Sequence, residues 1–97
     1  MSRPFCRANV FVAVKLSKDR SNLKKILKRF GIDPEDLVLN NNSSFEIVDH
    51  NLETIQEELI IPLVTFLDPT KRSSFFYRSA SGEIKTILIK GGRLLCA

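Results

Sequence analysis

Leu23, Ile26, Leu27 and Phe30 recur at the i, i+3, i+4, i+7 spacing of one helical face, and Gly31 and Ile32 follow at once. That pattern predicts an amphipathic helix that must bury one stripe against another layer. Ser17 to Asn22 supplies capping residue types at its start, and Gly31 supplies a left-handed cap at its end, with Ile32 placed to fold back on the last turn. Lys28 and Arg29 sit near the negative end of the helix dipole. A chain of 97 residues has room for one hydrophobic core, so a single domain is expected.

Around that helix the sequence suggests a sheet. Val10, Phe11, Val12, Ala13 and Val14 follow one another without polar interruption, which predicts a central strand over Val10–Leu16, covered on both faces. Arg3 and Arg7 before this run give it the outline of a secretory leader. Lys15 and Lys18 end it with no cleavage pattern, so it is read as core. Asp33-Pro34-Glu35-Asp36 reads as a short helical turn with Pro34 at its first position, and Asn40 to Ser44 as a loop. Phe45 and Ile47 alternate with Glu46 as a short strand. Leu52, Ile55, Leu59, Leu63 and Phe66 form a second helical stripe, capped by Asp49 or Asn51. Pro62 interrupts it, so a helix is expected over about Leu52–Ile60 with a kink or stop beyond.

Ser74–Ser79 and Glu83–Lys90 predict a hairpin around Ala80-Ser81-Gly82, with Gly91-Gly92 breaking the second strand. The order is strand, helix, strand, helix, strand, strand. The expected fold is therefore α+β, βαβαββ in order, with a sheet of about four strands and two helices on one face.

Charge is distributed in blocks. Residues 1–31 hold nine basic side chains and only Asp19 as an acid, for a net +8; residues 32–70 hold nine acids and no Lys or Arg; residues 71–97 return to +5. The basic first block implies a surface that attracts phosphate, formed by Lys24, Lys25, Lys28 and Arg29 together with Arg3, Arg7, Lys18 and Arg20, with Lys24, Lys25, Lys28, Arg29 and Arg20 as its expected contacts. The aromatic residues Phe76 and Tyr77, beside Arg78, Lys71 and Arg72, would add base stacking if one face of their strand is open to solvent. The alternative arrangement sets the basic helix beside the acidic one, where exposed ion pairs neutralise both and create no site.

His50 is the sole histidine, and Cys6 and Cys96 are the sole cysteines, at opposite ends of the chain. No nucleophile and base pair, metal-ligand spacing or phosphate-cradling glycine loop is present, so no catalytic residue, metal or cofactor is expected. Two cysteines are too few for a disulfide scaffold, which favours the cytoplasm or nucleus. No run approaches the ~20 apolar residues of a membrane span. The function expected is a small basic non-enzymatic binding module. Its partner is nucleic acid or an acidic protein surface, and the alternative is a protein-interaction or homodimer domain that uses the edge of the C-terminal hairpin and complementary charged faces.

Overall fold

A computed structural model of the chain describes residues 3–13, 17–38 and 42–96. It is an α+β fold in which a five-stranded antiparallel sheet carries its helices on one face. The elements run β1 (Phe5–Asn9), α1 (Ser17–Lys28), α2 (Pro34–Val38), β2 (Ser44–Val48), and a composite helical run over 52–66. They close with β3 (Ser73–Arg78), β4 (Ile84–Lys90) and β5 (Arg93–Cys96). The strand order across the sheet is β2-β1-β3-β4-β5.

α1 forms where its periodicity places it. Leu23 and Leu27 are fully buried and Phe30 nearly so. The helix closes in a Schellman arrangement: Gly31 takes φ 73°, its N–H donates to the Lys28 carbonyl at 3.1 Å, and the Ile32 N–H donates to the Leu27 carbonyl at 3.0 Å. Asp33 caps α2 by accepting the Glu35 N–H at 3.0 Å.

The composite run shows how the chain accommodates Pro62. It begins as α3 (Leu52–Ile55), capped by Asn51, whose side chain accepts the Thr54 N–H at 2.8 Å. It widens to a π turn over Gln56–Ile60, resumes as α4 (Ile61–Leu63) and tightens to a 3-10 turn over Val64–Phe66. The expected break after Ile60 is thus a change of helical pitch. A wider turn relieves the clash between a proline ring and the carbonyl four residues earlier, in keeping with the lost donor at Pro62. The added residue per turn also lets the adjacent Leu59 and Ile60 both face inward with Ile55 and Leu63, all four fully buried, while Ile61 faces solvent.

Two expectations about strands need correction. The first strand is β1, five residues before the run Val10–Leu16. β1 alternates, with Cys6 and Ala8 buried and Arg7 and Asn9 exposed, because helices cover only one face of it. Beyond it the apolar run is a crossing segment: Val10 donates to the Ser43 carbonyl, Val12 bridges to Leu67, and Ala13 donates to the Phe66 carbonyl at 2.7 Å. Residues 14–16 lie outside the described residues. The sheet also has five strands rather than four. Gly91-Gly92 does not end the pairing; with φ of 62° and 75° it makes the two-residue turn that folds β5 back on β4.

One core lies between the layers. Its sheet side is built from Cys6, Ala8, Ile47, Phe75, Tyr77, Ile87 and Ile89. Each large side chain buried there contributes about 1.5 to 3 kcal/mol. Ser73 is the one fully buried polar residue among those described, and its hydroxyl accepts the Phe11 N–H at 3.2 Å, tying the crossing segment to β3. Cys6 is a free thiol, and burial pushes its pKa up to about 11. Among the described residues no helix is long and apolar enough to cross a membrane.

Candidate nucleic-acid interface

Because antiparallel strands alternate, the residues that do not face the helices form a second, open face. The registers of β1 with β2 and β3, and of β3 with β4, set out its rows. One row runs Val48, Phe5, Arg78, Ile84; the next runs Glu46, Arg7, Phe76, Thr86. At the centre, on the adjacent inner strands β1 and β3, Phe5 stands opposite Arg78 and Arg7 opposite Phe76. Aromatic rings and guanidinium groups thus occupy alternate squares of a two-by-two board.

The contacts bind these squares together. The Arg7 guanidinium carbon lies 5.7 Å from the centre of the Phe5 ring and that of Arg78 lies 5.9 Å from it, both within cation–π range. Arg7 also donates to the Glu46 carboxylate at 3.4 Å. Phe76 is 39 % exposed, and Phe5 is half-buried. Further along the face, Lys90 pairs with Arg93 across the last hairpin turn. Arg7, Arg78, Lys90 and Arg93 therefore share this face with one carboxylate, Glu46.

The residues expected from the sequence divide between two surfaces. Phe76 and Arg78 fall on the open face. Tyr77, between them, is only 6 % exposed and faces the core, since adjacent residues of a strand point to opposite sides. Lys71 is exposed in the turn before β3 with its ammonium 5.0 Å from the centre of the Phe11 ring, and Arg72 is exposed beside it. Arg20, Lys24, Lys25 and Lys28 on α1, and Arg29 in the turn that ends it, are all exposed on the opposite side of the sheet.

On that opposite side α1 lies between acidic neighbours. Arg29 donates to Glu58 of the π turn at 3.0 Å, and Lys25, Ile26 and Arg29 line a groove with Glu57, Glu58 and Pro62. On its other flank Arg20 and Lys24 line a shallow cavity with Pro34, Glu35 and Val38 of α2. The basic and acidic helices are thus neighbours, and the field of α1 is partly compensated where it is set. Phe5 is the residue that a reading centred on α1 leaves out, and Arg7, grouped there with the cations of α1, stands on the open face of the sheet instead. Their signal is the alternation Phe5-Cys6-Arg7-Ala8-Asn9, apolar or small on one side and aromatic, cationic and polar on the other.

His50, the one histidine, packs edge to face on Phe30 with ring centres 5.0 Å apart. Among the described residues no group of His, Cys, Asp or Glu is arranged to hold a metal. Comparison with protein families, curated proteins and solved structures finds no match to this chain.

Proposed function

We propose that this chain is a non-enzymatic binding module whose open sheet face takes single-stranded nucleic acid. The observation that carries this reading is the central board of Phe5, Arg7, Phe76 and Arg78 on adjacent inner strands. Ring faces accept any base by stacking, and guanidinium groups beside them serve both phosphate oxygens and base planes. The diagonal from Phe5 to Phe76 spans about 7 Å, so two bases can be held separately. A duplex presents no unstacked base to such a platform, so a single strand is preferred. The cations of α1 contribute long-range attraction, reduced by Glu57, Glu58 and Glu35 beside them.

The test is fluorescence anisotropy with labelled oligouridine, oligothymidine and a duplex of equal length across a salt series. The expected result is preference for the single strands, with a log–log salt slope of about −2 to −3, as about three or four phosphate contacts give. Phe76→Ala should weaken binding by about 5- to 150-fold, the range for loss of one stacked base. Lys25→Glu with Lys28→Glu should change it far less. Loss on the helix variant with none on Phe76→Ala would move the site to α1, and no binding to any probe would end the reading.

A further inference from the structure

We infer that the free edge of β5 is a strand-addition site for an extended acidic segment of another protein. β5 is the outermost strand, hydrogen-bonded to β4 alone. It is joined to β4 by the two-residue turn Gly91-Gly92, so Lys90 and Arg93 flank the turn as a pair. In a two-residue hairpin that pair exchanges ladder hydrogen bonds, and antiparallel alternation then turns the N–H and C=O groups of Leu94 and Cys96 away from β4. No described residue pairs with this edge.

The side chains present the edge rather than guard it. Leu94, on the helix side, is 40 % exposed and Leu95, on the open side, is 43 % exposed. The helix layer therefore stops short of β5, and the edge is apolar on both faces. Natural edge strands are guarded by proline, bulges or inward charges. Residues 93–95 have none of these beyond Arg93 at the turn. The opposite edge, β2, differs: Ile47 is buried beneath the helices and Glu46 stands at its middle.

Charge selects the occupant. Residues 71–97 carry six basic side chains against Glu83, and Lys90 and Arg93 stand together at the turn end of the edge. A second copy of β5 would bring two such cationic hairpins together. A segment that sets carboxylates beside Arg93 and Lys90 and apolar side chains beside Leu94 is complementary, and strand addition supplies its backbone pairing. This site uses the backbone edge at Leu94 and Cys96, not the board of Phe5, Arg7, Phe76 and Arg78 proposed for nucleic acid; the two share only the cations Lys90 and Arg93, and the strand pairing does not rest on that reading.

The probe is a capped eight-residue peptide alternating valine and glutamate, titrated into the ¹⁵N-labelled full chain, with amide exchange followed by NMR. At saturation the Leu94 and Cys96 amides should exchange at least tenfold more slowly, and a valine–lysine peptide should bind at least tenfold more weakly. Leu94→Pro removes an outward donor the fold does not use and should abolish binding. Arg93→Glu keeps the test open if that variant does not fold, because it should shift preference to the lysine peptide. No protection by the glutamate peptide, or equal binding of both peptides, overturns the inference. So does a protein whose free form already protects these amides while its mass in light scattering rises with concentration, which would make the occupant a second copy.

Discussion

The Arg29 guanidinium meets the Glu58 carboxylate at 3.0 Å and so joins the most basic helix of the chain to its most acidic segment. Both side chains remain substantially exposed, 62 % and 44 %. Solvent screens such a pair, and its coupling should stay below about 1 kcal/mol. A double-mutant cycle with Arg29→Ala and Glu58→Ala, read by urea unfolding at low and high salt, should return that small value and see it shrink with salt. A coupling of several kcal/mol would mean that the two helices depend on this contact for their docking.

Ser73 should matter more than any exposed ion pair. It is fully buried, and its hydroxyl is the acceptor for the Phe11 N–H. Ser73→Ala leaves that N–H without a partner inside the fold, at a cost of about 1 to 3 kcal/mol. Thermal or urea unfolding checks the value. A neutral result would show that water reaches Phe11 once the hydroxyl is gone.

How much of this was legible in the sequence differs by element, for physical reasons. α1 and its end were open to reading because Gly31 and Ile32 act locally, on the last turn beside them. β1 was hidden because a strand covered on one side alternates, and Arg7 and Asn9 make its sequence look polar. The unbroken apolar run that starts at Val10 imitates a central strand, whereas its described residues, Val10 to Ala13, serve as a crossing segment. On β3 the aromatic residues Phe75, Phe76 and Tyr77 all satisfy a strand equally, so their sequence could not say which one is wet. Only the helix layer, which covers Phe75 and Tyr77, leaves Phe76 outside.

The turn Gly91-Gly92 is the other feature whose meaning depended on context, since a glycine pair either ends a strand or reverses it. Both residues hold positive φ, 62° and 75°. Gly92→Val forces a β-branched residue into the left-handed region at a cost of about 1 to 2 kcal/mol. Hydrogen exchange should show the protection of the β4–β5 pairing lost while β1 and β3 keep theirs. Unchanged protection would mean that the turn can adopt another form.

Cys6 gives the fold a pH signature. Its thiol is held protonated up to about pH 11 in the folded state, against 9.0 for the exposed group. Between those values the unfolded chain has released a proton that the folded chain retains, so stability falls as pH rises from about 9 to about 11. The loss is on the order of 2 kcal/mol. Unfolding free energies of wild type and Cys6→Ala should converge over that window. Iodoacetamide at pH 8 should label Cys6 only under denaturing conditions, and rapid labelling at Cys6 in the native protein, separated from Cys96 by peptide mapping, would contradict its burial.

Glu46 offers the sharpest test of the open face, because it is the one carboxylate among the described strand residues of that face and it already engages Arg7 at 3.4 Å. A bound phosphate at Arg7 must compete with it. Glu46→Gln keeps the shape of the side chain, removes the competing charge and frees the guanidinium. The pair is exposed, so the change in stability should be under about 1 kcal/mol. Affinity for single-stranded oligonucleotide should nonetheless rise by roughly 2- to 5-fold at low salt, the effect of a comparable increment in free energy, and the gain should fade as salt screens it. Anisotropy titrations of both proteins at two salt concentrations read this directly. Equal affinity at low salt would place the phosphate contacts away from Arg7, and weaker binding would make Glu46 itself a contact, for instance as an acceptor from an exocyclic amine of a base.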